Sequence, residues 1–83
     1  MASNLSPSTA DALKAAVQSG IPGSVVEVQS ASPGHYSLVV KSEVFRGRSM
    51  LESHRMVYAT IASLMSGDAA PVHAIDTLKT IAG

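Results

Sequence analysis

Apolar positions in this chain follow two different periods, and the switches between them divide it into five elements. Ala10, Leu13, Ala16 and Val17 recur at helical spacing within residues 6–20. Ser6 before Pro7 supplies an N-cap and a proline at the first helical position, and Ser8 with Asp11 offers a second cap. Gly20 is placed to end this helix in a left-handed turn, with Pro22 blocking continuation. The period then falls to two. Residues 24–30 (SVVEVQS) alternate Val26 and Val28 against Glu27 and Gln29, which predicts a half-buried strand. Residues 35–42 (HYSLVVKS) repeat the pattern with Tyr36, Leu38 and Val40 on one face. The Pro33-Gly34 step between the two runs predicts a turn and an antiparallel hairpin.

The helical period returns after Phe45. Ser49 and Glu52 are spaced as a capping box, and Met50, His54, Val57, Tyr58, Ile61, Leu64 and Met65 form one stripe that Gly67 closes. Phe45 is placed to pack its ring on the core beside that helix. Residues 72–81 (VHAIDTLKTI) read as a last strand with blurred alternation, since Val72, Ala74 and Leu78 share parity with Asp76. The order helix–strand–strand–helix–strand predicts an α+β domain: one αββαβ unit, with two helices covering one face of a three-stranded sheet. Eighty-three residues suit one such domain, with residues 1–7 expected to be flexible.

Composition narrows the function classes. Formal charge is zero and there is no cysteine, so the chain has neither a disulfide staple nor a thiolate of its own. The acidic residues are scattered without a close pair for acid–base work. No nucleophile elbow, zinc-protease helix or phosphate-cradling glycine loop is present. An enzyme is not expected. Lys41, Arg46, Arg48 and Arg55 place four of the six cations within fifteen residues, against only Glu43 and Glu52. That is a local basic patch, either a solvated face or a contact surface. Met50, Met56 and Met65 read as core or rim fillers rather than metal ligands. No apolar run approaches the ~20 residues of a membrane span, and the start MASNLSPSTADAL lacks the basic flank and apolar stretch of a secretory signal. An intracellular, cytoplasmic protein with no membrane contact is the expectation, a mature organelle form being the alternative.

Three histidines remain. On the residues alone, His73 reads as a half-exposed strand histidine, His35 as a turn residue, and His54 as a boundary residue on the apolar stripe. The motifs around them carry a resemblance. HYSLVVKSEVFRGRSMLESHRMVY followed by VHAI resembles the BolA family. Its marks here are Phe45 and Gly47, then His54, Arg55, Val57 and Tyr58, then Val72, His73, Ala74 and Ile75. The match covers residues 8–81. It implies an αββαβ fold similar to a class II KH domain, with a mixed sheet, in agreement with the element order.

The resemblance also implies a function. BolA-like proteins pair with monothiol glutaredoxins, and the histidine corresponding to His73 is the family's ligand to a bridging [2Fe–2S] cluster. His35 lies where members often carry a second histidine or cysteine. Glutaredoxin and its bound glutathione would supply thiolates. Imidazole in their place removes negative charge, which raises the reduction potential and makes ligation sensitive to protons. His54, with Phe45, Gly47 and Tyr58, is implied to be structural. Such a protein would be a monomer alone and a heterodimer with glutaredoxin, contacting it through the hairpin turn, the last strand and the start of the second helix. The runner-up is nucleic-acid binding through Lys41, Arg46, Arg48 and Arg55, as in family members resembling transcriptional regulators, with DNA phosphate met at the second helix's N-terminus. A third reading is docking to glutaredoxin without a cluster.

Two departures stand out. The family usually has Arg-His where this chain has Ser53-His54, which removes a cation from the expected contact face. Many members also continue beyond the last strand, whereas this sequence stops at Gly83, leaving a sheet edge or core flank less covered.

Overall fold

The structure, a computed structural model, describes residues 8–67 and 70–83. The Ser6–Pro7 cap and the expected flexibility of residues 1–7 lie outside the described residues. Within them the chain forms α1 (Thr9–Gly20), β1 (Val25–Ser32), β2 (His35–Ser42), a short 3₁₀ turn (Glu43–Phe45), α2 (Met50–Met65) and β3 (Ala74–Ala82). The second of the two predicted caps starts α1: the Ser8 hydroxyl accepts a hydrogen bond from the Asp11 N–H. The Ser49–Glu52 capping box of α2 forms in both directions.

The sheet order is β1-β2-β3. β1 pairs antiparallel with β2, and β3 pairs parallel with it, so the sheet is mixed and β2 is its centre. A parallel neighbour needs a crossover, and α2 is that crossover. Along β2 the residues Tyr36, Leu38, Val40 and Ser42 are buried, while His35, Ser37, Val39 and Lys41 point to the uncovered face. Both helices pack on the buried face. Leu13, Val17 and Ile21 from the first helical segment meet Val57 and Ile61 of α2 over Val26, Tyr36, Leu38 and Val40, with Phe45 and Val72 closing the two ends.

Three predicted features change. The first is the α2 stripe. Ser53, Val57 and Ile61 form its buried row, while Met50 is 71% and Tyr58 37% exposed. The apolar stripe and the buried face are thus rotated against each other. Because Ser53 faces the core, its difference from the family pattern concerns packing and not the charge of a contact face. The second is the last strand, which begins at Ala74 and not at Val72. Val72 is instead the buried lead-in, its N–H donating to the Leu64 carbonyl of α2. The blurred alternation has a physical cause. The partner of β2 jumps from Ile75 (opposite Tyr36) to Thr77 (opposite Ser37), so Asp76 is a bulged residue. That slip moves core-facing parity from Ile75 to Leu78, both packed against the core.

The third is Gly20, the last residue of α1 rather than a left-handed residue beyond it. Its missing side chain serves helix approach: a Cβ there would overlap the Thr60 methyl of α2. Thr60 cannot turn away freely, because its hydroxyl donates to the Val57 carbonyl at 2.6 Å. Gly20→Ala is therefore expected to lower stability in chemical denaturation by about 1–3 kcal/mol, the usual cost of overpacking. Adding Thr60→Ser, which removes only the methyl, should restore most of it. A neutral or stabilising Gly20→Ala would show that α1 and α2 do not meet there.

Candidate functional site

The hairpin turn and the start of β3 converge at one end of the sheet. Pro33 and Gly34 form the loop between β1 and β2, with Gly34 at a φ of +80°. Proline followed by a left-handed glycine is the type II pattern. A register slip between Ser30 and Ser32 adjusts β1 to it. The Gly34 carbonyl then accepts two hydrogen bonds, from the backbone N–H of His73 at 2.8 Å and of Ala74 at 3.1 Å. The ring of His73 comes so close to this turn that a Cβ on Gly34 would sit 2.7 Å from Cδ2 and 2.9 Å from Cγ. His73 is exposed, and among the described residues no hydrogen-bonding side chain takes either of its ring nitrogens.

His35 follows directly as the first residue of β2, paired with Ala74. Its Nδ1 lies 3.0 Å from Oδ1 of Asp76, and both side chains are 43% exposed. An ionised carboxylate can only accept, so Nδ1 carries a proton; in the neutral imidazole the lone pair is then on Nε2. Nitrogen lone pairs on borderline imidazole suit iron and zinc. A carboxylate on the far ring nitrogen is the usual support of a metal-binding histidine. Among the described residues no group of three or more His, Asp and Glu side chains could hold a metal ion. A metal held by these imidazoles would need its remaining ligands from outside the described residues.

The remaining candidates lie elsewhere. β2 runs from His35 to Ser42, a span of roughly 23 Å at strand rise. The turn Glu43–Phe45, Gly47 and the start of α2 follow its far end. Only the last turn of α2, through Leu64, returns to the end that holds His73. The start of α2, expected from the sequence to share a contact face with the hairpin turn and the last strand, lies at the opposite end of the sheet from His35 and His73. His54, half-buried in the first turns of α2, is remote too. Phe45 is buried in the core, Gly47 takes a φ of +78°, and Tyr58 is exposed.

The four basic residues are not one cluster. Lys41 lies on the uncovered face of the sheet, whereas Arg55 belongs to the helical layer on the other side. Arg46 and Arg48 sit in the connecting loop, and Nε of Arg48 donates to the Val44 carbonyl at 2.9 Å. The α2 N-terminus is already served by the Ser49 hydroxyl and the Glu52 carboxylate. A carboxylate at that position opposes a phosphate there.

Sequence reasoning missed the partner of His35. Asp76 carried one signal, a carboxylate at a position where alternation failed. Gly34 was legible as a turn residue but not as the seat of the His73 ring.

The chain matches, over residues 4–82, a family model described as BolA-like protein. No curated protein matches it. Among solved structures it is similar to a bolA protein homologue from Coxiella burnetii, with 31% identity and a TM-score of 0.73 over 93% of this chain and 92% of that one. It is also similar to BolA1 from Mus musculus, at 27% identity and a TM-score of 0.65 over 90% and 67% of the two chains. A bol-like protein from Babesia bovis shares the fold at 22% identity, with a TM-score of 0.68 over 94% and 88%.

Gly34→Ala tests the convergence. A side chain at this positive φ is expected to cost about 1–2 kcal/mol and to displace the His73 ring, visible as a change in its ring proton shifts. Unchanged His73 shifts in a folded variant would contradict the packing of the ring on the turn.

Proposed function

This chain belongs to the BolA-like protein family, and from that premise we propose that it is a non-enzymatic adaptor in iron–sulfur cluster assembly and trafficking. It binds a monothiol glutaredoxin and shares a bridging [2Fe–2S] cluster with it. The observation that carries this reading is the convergence of His35 and His73 on the Gly34 turn, with Nε2 of His35 and both nitrogens of His73 free of protein partners among the described residues. Two imidazoles on a chain without cysteine are half a cluster site. The glutaredoxin and glutathione supply the thiolates. The cluster, when bound, supplies the electron-transfer and transfer-to-recipient chemistry. His73, held by its backbone on the turn, gives one ligand from a fixed base. His35 gives the second from the neighbouring strand. Neutral imidazoles lower the negative charge at the iron they bind and so raise its potential.

The docking face in this proposal is the Pro33-Gly34 turn with the first residues of β3. An intracellular, cytoplasmic setting belongs to the same proposal, as does a monomer that becomes a heterodimer on binding. No described helix is long and apolar enough to cross a membrane. DNA binding is the weaker reading, because Lys41 and Arg55 lie on opposite layers and Glu52 occupies the α2 N-terminus.

The test is reconstitution of the cluster with a monothiol glutaredoxin and glutathione, followed by visible circular dichroism. The wild type should give a spectrum distinct from that of the glutaredoxin's own cluster, and His73→Ala should abolish the difference while leaving the far-UV spectrum intact. A heterodimer spectrum unchanged in His73→Ala would remove His73 from the ligand set. Duplex DNA binding is expected to be undetectable at physiological salt. Affinity that survives there and falls linearly on a log–log salt plot would bring the nucleic-acid reading back.

A further inference from the structure

The Asp76 bulge and the His35–Asp76 contact are one feature. In the register that pairs His35 with Ala74 and Tyr36 with Ile75, the next β3 residue would oppose Ser37. Instead Thr77 does, and Asp76 is left out of the pairing with its carboxylate 3.0 Å from Nδ1 of His35. A bulge re-aims a side chain at the expense of local pairing. This one aims the only acidic side chain of β3 at a histidine. The other charged groups of this face, Glu27, Lys41 and Lys79, lie further along the sheet, Glu27 and Lys79 on either side of Val39 and Lys41 opposite Ile81. No Lys or Arg side chain forms an ion pair among the described residues.

We propose that Asp76 is a positioning residue for His35: by accepting the Nδ1 proton it fixes the ring's tautomer and orientation, so that Nε2 is presented as the metal-binding nitrogen. This inference rests on the cluster-sharing reading above and adds to it a residue that touches no iron. The reasoning is chemical. A free imidazole in water favours the proton on Nε2, which hides the outward lone pair. A carboxylate beside Nδ1 reverses that preference, because it can only accept. The same contact limits rotation of a side chain that is otherwise half-exposed at the edge of a turn. Among the described residues no carboxylate meets His73; its ring packs on Gly34 instead. The two ligands are thus oriented by different means, one by a hydrogen bond and one by contact.

The tautomer can be read without any metal. In the full chain labelled with ¹⁵N-histidine, at a pH of about 8 where an ordinary imidazole is neutral, long-range ¹H–¹⁵N correlation distinguishes the two protonated nitrogens. Wild-type His35 should show the proton on Nδ1, and Asp76→Ala should shift it to Nε2. Asp76→Asn, whose side-chain oxygen still accepts, should retain Nδ1–H. In the reconstituted glutaredoxin complex, Asp76→Ala should lose its cluster about tenfold faster than wild type, the lower end of what support residues contribute, with Asp76→Asn close to wild type. Nε2–H in wild-type His35, or a tautomer indifferent to Asp76→Ala, would overturn the proposal. So would an undiminished cluster lifetime in Asp76→Ala when His35→Ala has lost the heterodimer spectrum, and in that case the cluster-sharing reading would stand. A tautomer that shifts as expected while His35→Ala leaves the spectrum whole would overturn it by the other route, through failure of His35 as a ligand.

Discussion

A single backbone carbonyl, that of Gly34, holds the candidate site together. By accepting from both His73 and Ala74 it anchors the start of the last strand to the tip of the hairpin. The ends of two segments far apart in sequence become neighbours through that one acceptor. The anchor requires a residue with positive φ and no side chain, because the turn bends left-handed and the His73 ring occupies the space of a Cβ. Glycine satisfies both demands at once. The His35–Ala74 pairing, the bulge at Asp76 and the side chains of His35 and His73 all lie at this end of the sheet.

The crossover sets what lies at the other end. Since β3 runs parallel to β2, α2 must carry the chain back along the sheet before β3 can begin. The loop with Arg46 and Arg48 and the capping box therefore lie at the other end of the sheet from His35 and His73. Family marks contiguous in a motif reading divide into two physical groups. Phe45, Gly47 and Val57 build the far end and the core, whereas Val72 and His73 lead into the site.

Most of the fold was legible because local signals agreed with one another. Alternation, the Pro33-Gly34 turn and the Ser49–Glu52 box each predicted the element that forms. What escaped the sequence depended on contacts between elements. Hydrophobicity marked Met50 and Tyr58 for the apolar stripe, but the face of α2 that is buried is the row Ser53, Val57 and Ile61. Gly20 looked like a helix terminator and is a point of helix contact. His73 and His35 were legible as candidates through family resemblance; their convergence was legible only as something the topology permits. Asp76 was visible only as noise in an alternating pattern, and the noise marks the bulge that brings it to His35.

The proposed function places two imidazoles of this chain at one iron-bearing site shared with a glutaredoxin. Pulsed electron paramagnetic resonance of the reduced heterodimer cluster, with only this chain's histidines labelled with ¹⁵N, tests it most directly. Strong ¹⁵N couplings are expected from two directly bound imidazole nitrogens, belonging to His73 and His35. A reduced cluster with no strong ¹⁵N coupling from this chain would contradict it.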